Sequence, residues 1–188
     1  MISEKYKCIF VHVIKTGGMS VASALDMKDL NCHVPAKHIK ENVGANLWND
    51  YFIFSFVRNP WDKIVSQYFF NGEKFCMKHL GRPADFTEYI VEIVGRDKFY
   101  SMYEPRNLPY IVDDKGKQLV DFIGRFENLQ KDFDLVCDKI GMPKKVLPKI
   151  NQSKHDHYTT YYNKKTKNII AQKFKDDIEY FGYVFDGE

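Results

Sequence analysis

Paired cysteines are missing from this chain of 188 residues. Its four, Cys8, Cys32, Cys76 and Cys137, lie far apart and form no CxxC pair, a usage that fits a reducing compartment better than a disulfide framework. Long apolar runs are missing too. No stretch reaches the ~18 apolar residues needed to cross a membrane. The start, MISEKYKCIFVHVIKTGG, has too short an apolar run and no cleavage pattern for a secretory leader. A cytoplasmic protein with no membrane partner is expected. Charge of one sign is also scarce: the net charge is +3, too small to argue for nucleic acid. The lysines are unevenly spread, with only Asp156 as an acid between Lys144 and Lys175. That stretch is either a solvated basic face or a landing surface for an anion. Internal repeats, low-complexity tracts and linkers are absent, so one domain over residues 1–188 is expected.

What is present is an ordinary globular composition, 44% hydrophobic and 28% charged, with 15 Phe and 12 Tyr to build the core. KCIFVHVI reads as a buried strand, and SVASALDM as a helix with Ser20 placed to cap it. YFIFSFV, residues 51–57, is a second buried strand; RNPW follows it, with Pro60 suited to a first helical turn and DKIVSQYFF continuing the helix. DFTEYIVEIV reads as an amphipathic helix, and Asp114-Lys115-Gly116 as a turn between two apolar runs, hence a hairpin or strand pair. ENLQKDFDLVCDKIG places Leu129, Phe133, Val136 and Ile140 on one helical face, stopped by Gly141 and Pro143. TKNIIAQKFKDDIEYF closes the chain as a helix with Ile170, Phe174, Ile178 and Phe181 inward. Strands alternating with helices predict a mainly parallel α/β sheet.

The first strand-to-helix junction is VHVIKTGGMS. A glycine turn there exposes backbone N–H groups next to the positive end of a helix, an arrangement that binds anions. Gly17 and Gly18 allow close approach, Ser20 adds a hydroxyl, and Lys15 at the strand end can reach the same anion. A tight turn with no ligand is the plainer account of two glycines. The order GxxxxGK[ST] is absent, which disfavours a nucleoside triphosphatase. The junction FSFVRNPWDKIVSQY repeats the layout. Arg58 stands at the C-terminal edge of its strand, where open α/β sheets bind ligands, and Ser66 lies on the following helix. The two can converge on one phosphate, or Arg58 can serve as a structural partner of Asp62. Two anion sites at neighbouring strand ends suit a ligand with two separated phosphates.

Together KTGGMS and RNPWDKIVSQY resemble the 5′-phosphosulfate loop and the 3′-phosphate motif of sulfotransferases, in the branch that includes the glycan sulfotransferases. DFIGRFENL, LPKINQSKHDHY and DIEYFGYVF follow in the same order, so the resemblance runs from about Lys7 to Phe185. It implies a P-loop-like three-layer α/β/α fold with a mainly parallel central sheet. It also implies transfer of a sulfuryl group from 3′-phosphoadenosine 5′-phosphosulfate (PAPS) to a hydroxyl acceptor, a saccharide above all, with 3′,5′-ADP as product and no metal. Lys15 then meets the bridging oxygen that gains charge as the S–O bond breaks. Thr16, Gly17, Gly18, Met19 and Ser20 cradle the 5′-phosphate, and Arg58 and Ser66 hold the 3′-phosphate.

The family places a base between the two motifs, and CHVPAKHIKENVG supplies His33 and His38. His33 matches the family position better; a surface histidine at a helix start is the alternative for either. His12 reads as a core residue of the strand. Arg125 borders the nucleotide or forms a structural pair with Glu127. Ser153 and Lys154 fall in the region that closes over nucleotide or acceptor in the family. His155 and His157 read as loop residues, because no further metal ligands stand at a suitable spacing. Pro105-Arg106 departs from the Pro-Gln pair common in the family, and Arg106 would suit an acidic acceptor. Two other classes remain open on the residues alone. One is an atypical P-loop kinase-like phosphoryl transferase, disfavoured by the loop order and by the lack of an obvious magnesium-binding aspartate after a strand. The other is a non-enzymatic anion-binding module built on the lysine-rich third.

Overall fold

A computed structural model describes residues 1–27, 32–98, 104–151 and 154–186. The chain forms two compact units, each drawn from two segments: Met1–Arg58 with Asn107–Gln152, and Asn59–Arg106 with Ser153–Glu188.

The first unit is a mixed α/β body. Among its described residues four strands, β1 (Ile2–Ser3), β2 (Cys8–Val11), β3 (Phe52–Val57) and β4 (Phe122–Arg125), form a sheet in the order β1-β2-β3-β4. β2, β3 and β4 are parallel, and only the short β1 runs against its neighbour. The mainly parallel sheet expected from the two buried apolar runs is therefore present. Parallel strands buried on both faces need continuous apolar sequence, and CIFV and FIFSFV supply it. On one face Phe10, Phe54 and Phe56 stack and tilt against one another. Over them lie α1 (Gly18–Ala24), through Val21 and Ala22, and α6 (Leu129–Ile140), through Phe133 and Val136. Gly124 has to be glycine, because a Cβ there would collide with the Phe56 ring. The apolar face expected for α6 is the face it buries, and Gly141 ends it in the left-handed conformation (φ 67°). This unit also holds α2 (Ala36–Asp50) and α5 (Leu108–Ile111).

Two local expectations fail here. Ser20 does not cap α1. The helix starts earlier, from Gly17 in the left-handed region (φ 76°), so Ser20 is its third residue, and its Oγ accepts from Ile150 N at 3.4 Å. The hairpin expected around Asp114-Lys115-Gly116 shrinks to a single antiparallel bridge, Val112 to Gln118. The Asp113 carboxylate binds the Lys115 and Lys117 N–H groups, both at 2.9 Å, and the apolar residues before the turn coil into α5.

The second unit is helical: α3 (Pro60–Leu80), α4 (Phe86–Glu88), a π turn at Tyr89–Val94, α7 (Lys164–Lys173) and α8 (Lys175–Phe181). Its core joins Trp61, Ile64, Val65, Phe86, Ile90, Ile170 and Phe174. The amphipathic helix expected over residues 85–94 keeps only its first turn as α-helix. The widened turn brings Tyr89, Ile90, Ile93 and Val94 all inside, and it closes with Gly95 N donating to Ile90 O at 2.7 Å. The closing helix is two, broken at Phe174 (φ −112°, ψ 23°), whose ring is fully buried.

Candidate functional site

Three parallel strands of the first unit end on one side, and the chemistry-bearing residues collect there. β2 runs through His12–Ile14 into Lys15, which takes a left-handed backbone (φ 58°). For a residue with a Cβ that conformation costs ~1–2 kcal/mol, and such strain concentrates at functional sites. Gly17 follows, also left-handed. A Cβ on it would lie 2.6 Å from Leu129 Cδ2 and 3.2 Å from the Phe126 ring, so the turn is pressed against the start of α6. Thr16 is fully buried, and its hydroxyl donates to Val13 O at 2.8 Å. The hydroxyl proton thus braces the turn from inside, and the backbone N–H is what Thr16 has to offer a ligand. α1 begins with no side-chain cap, so its first N–H groups face the loop.

Arg58 follows β3 directly and reaches back to this loop. Its Nη1 donates to Lys15 O at 3.1 Å, and its guanidinium carbon sits 3.8 Å from the centre of the Phe126 ring. Asn107, fully buried, fixes the Arg58 backbone by donating from Nδ2 to its carbonyl at 3.0 Å. The two sequence motifs, expected at neighbouring strand ends, are therefore in contact through Arg58 and the Lys15 carbonyl. Burial first, and the Arg58 charge second, lower the Lys15 ammonium from its usual range to about 8. Two cations held together in a half-buried setting favour an anion between or beside them.

His33 lies at the same edge. Its Nδ1 is 3.0 Å from His12 O, and its ring centre is 4.2 Å from that of His12. A carbonyl oxygen only accepts, so Nδ1 carries the proton and neutral His33 keeps a lone pair on Nε2. His38 is elsewhere: it is exposed on α2, with Nδ1 3.1 Å from the Glu41 carboxylate. Arg125, the last residue of β4, pairs with Val57 in the sheet, and its N–H donates to Asp132 Oδ2 at 2.7 Å.

In the second unit Ser66 is buried within α3. Ser153 lies outside the described residues, and Lys154 beside it is exposed. Glu104 engages the Arg106 guanidinium through two charge-assisted bonds of 2.7 Å. His155 stacks on Phe69, and His157 bonds Thr159 Oγ1 at 2.9 Å. Among the described residues no group of three or more His, Cys, Asp or Glu side chains is placed to hold a metal. Two residues of the candidate site escaped the sequence reading, Phe126 and Asn107, while His12, expected in the core, is buried. Phe126 sits in GRFEN between two charged residues that drew attention first, and its aromatic character at a strand end was the available signal.

The sulfotransferase family model, Sulfotransfer_2, matches residues 1–184. The chain belongs to the sulfotransferase family. This family match covers both compact units, and the family membership marks an enzyme of sulfotransferase type; the family generally uses PAPS as donor. The chain is also 35% identical over 127 residues to an uncharacterized protein of Archaeoglobus fulgidus, a match covering 66% of this chain and 97% of that protein. No solved structure is a significant match. Among the described residues of this sulfotransferase-family chain, no helix is long and apolar enough to cross a membrane.

Proposed function

We propose that the protein transfers the sulfuryl group of PAPS to a hydroxyl of a carbohydrate acceptor. The observation that carries this reading is the joining of Lys15 and Arg58 around a glycine turn, with His33 bonded to the strand that feeds it. The residues fit the donor's chemistry. The turn from Thr16 to Ser20 supplies backbone donors for the 5′-phosphate, and glycines 17 and 18 leave room for it to approach. Arg58 is the proposed 3′-phosphate ligand of the sheet-bearing unit, with Arg125 bordering the nucleotide. His33 Nε2 takes the proton of the attacking hydroxyl as its oxygen bonds to sulfur. The bond from sulfur to the bridging oxygen breaks in line, and Lys15 meets the charge that collects on the departing phosphate. No metal is called for, because the cations are side chains. Four free cysteines, three of them buried, suit the interior of a cell.

Binding decides between this and phosphoryl transfer. Calorimetry and thermal denaturation with 3′,5′-ADP, 5′-AMP, ATP–Mg²⁺ and an oligonucleotide are expected to rank 3′,5′-ADP first by a wide margin. A preference for ATP–Mg²⁺ overturns the sulfuryl-transfer reading in favour of a kinase-like one, and a preference for the oligonucleotide makes the protein a nucleic-acid binder. A screen of hydroxyl acceptors with labelled PAPS, comparing His33→Ala with His38→Ala, then tests the acceptor class and the base. His33→Ala should lose ~10²–10⁴-fold in turnover with nucleotide affinity intact.

A further inference from the structure

His12 stands between β2 and the glycine turn, and so far nothing in the proposed reaction falls to it. It is 3% exposed, which by itself describes a core residue. Its contacts are unusual for one. The ring stacks on Phe10 at 5.4 Å and 21°, and on another side it meets the His33 ring at 4.2 Å and 54°. Its Cδ2–Nε2 edge occupies the place where Gly18 would carry a Cβ, so any other residue at position 18 would overlap it. Gly18 is not among the left-handed glycines of the chain. Its backbone would accept an ordinary residue, and the His12 ring is what excludes one. The His12 carbonyl accepts the His33 Nδ1 proton at 3.0 Å.

These contacts reach both reacting halves of the site. A hydrogen bond from Nδ1 leaves an imidazole rotation about the N–H···O line that carries Nε2 through an arc. A second contact, ring against ring at 4.2 Å, restricts that rotation. His12 provides both, one from its backbone and one from its side chain. Its Cδ2–Nε2 edge lies against Gly18, the first residue of α1 and the second glycine of the donor turn.

We propose that His12 is a positioning residue that locks the His33 imidazole to the Gly18 turn, so that base and donor loop keep a fixed separation. The proposal rests on the reading of His33 as the base and of residues 15–20 as the donor loop. Its importance follows from the steep dependence of proton transfer and in-line attack on geometry, where a displacement of about 1 Å can cost ~10²-fold in rate.

The test uses the full chain and needs no acceptor. Nitrogen-15 and carbon-13 spectra of the imidazole groups report the chemical shifts and line widths of the His33 ring in wild type, His12→Ala and His12→Phe. All three keep the residue-12 carbonyl, so the proton on Nδ1 is expected throughout. Wild type should give one sharp set of His33 ring signals, and His12→Phe, which keeps a planar ring in the same space, should retain it. In His12→Ala the ring is free to take several orientations, so its signals should shift and broaden. Added 3′,5′-ADP should shift the His33 signals in wild type and in His12→Phe, with the shift at least halved in His12→Ala. Unchanged His33 ring signals and an undiminished response in His12→Ala overturn the proposal. Should that variant fail to fold, Gly18→Ala decides from the other side. Its methyl group pushes on the His12 ring, so the His33 signals must move, and unmoved signals overturn the lock. If 3′,5′-ADP does not bind wild type, the donor reading falls, while the ring signals of the ligand-free variants still decide whether His12 orients His33.

Discussion

The chain begins a helix after β2, across the loop 12–17, and another after β3, across Arg58 and Asn59, and it begins them in opposite ways. α3 closes its own N-terminus. The Asn59 side chain accepts from Trp61 N at 3.0 Å, and Pro60 has no N–H to satisfy. α1 starts from a left-handed glycine with no side-chain cap. Capping satisfies donors from within, so a capped end has little left for a ligand, whereas an uncapped end next to Lys15 and Arg58 has donors to give. The lesson is that two junctions with the same strand-turn-helix outline divide the work. One offers its backbone, and the other delivers a side chain, Arg58, to it.

The comparison can be broken first at Lys15. Lys15→Ala should lower the single-turnover rate ~10²-fold or more, as removal of an oxyanion donor does, while the Kd of 3′,5′-ADP rises much less. A Kd that climbs as steeply as the rate falls would leave Lys15 a binding residue only. Arg58→Ala comes next. Charge-assisted bonds contribute roughly 1.5–3 kcal/mol each, so 3′,5′-ADP should bind about tenfold or more weakly. Because Arg58 also holds the Lys15 carbonyl, 5′-AMP should weaken too, though less; a wholly unaffected 5′-AMP means that the two motifs act independently. Asn59→Ala sharpens the contrast from the capped side. It should cost about 1 kcal/mol in urea unfolding with little change in nucleotide affinity.

The smallest effect is in pH. With the free-state Lys15 at about 8, a bound anion pulls it upward, so binding near that pH takes up a proton. Affinity for 3′,5′-ADP should be full below pH ~8 and fall a few-fold as pH rises through it, following the lost ammonium charge. Lys15→Arg should abolish this dependence, since a guanidinium stays protonated. Calorimetry in buffers of different ionisation enthalpy measures the proton uptake directly.

The parts of this molecule legible in the sequence are those where one local rule suffices. CIFV, FIFSFV and the 129–140 periodicity needed only apolar spacing and a glycine stop. The start of α1 was misplaced because Gly17 and Ser20 are both plausible helix starters, and the close fit of Gly17 against Leu129 decided in favour of the glycine. Apolar residues at 89, 90, 93 and 94 satisfy an α-helix as well as a π turn, so spacing could not separate them. Lys15, Arg58 and His33 stood out by residue type and by their place beside strand ends, while the contacts that tie Arg58 to the Lys15 carbonyl and His33 to the His12 carbonyl needed the fold. Phe126 and Asn107 did not stand out, because their roles arise from partners 68 and 49 positions away from them, in Arg58's case on both counts.

The bond from Asn107 to the Arg58 carbonyl also says something about the chain's history and its engineering. The backbone departs from the sheet-bearing unit at Arg58 and returns to it at Asn107. These two residues touch, so the excursion between them starts and finishes at one point, like a side road that rejoins at its own junction. Closing a loop costs free energy only logarithmically in its length. Residues 59–106 also carry core residues of the second unit, Trp61, Ile64, Val65, Phe86 and Ile90, so length can be added at the exposed turn Gly81–Pro83 with little penalty to the sheet, whereas cutting into the helices removes that core.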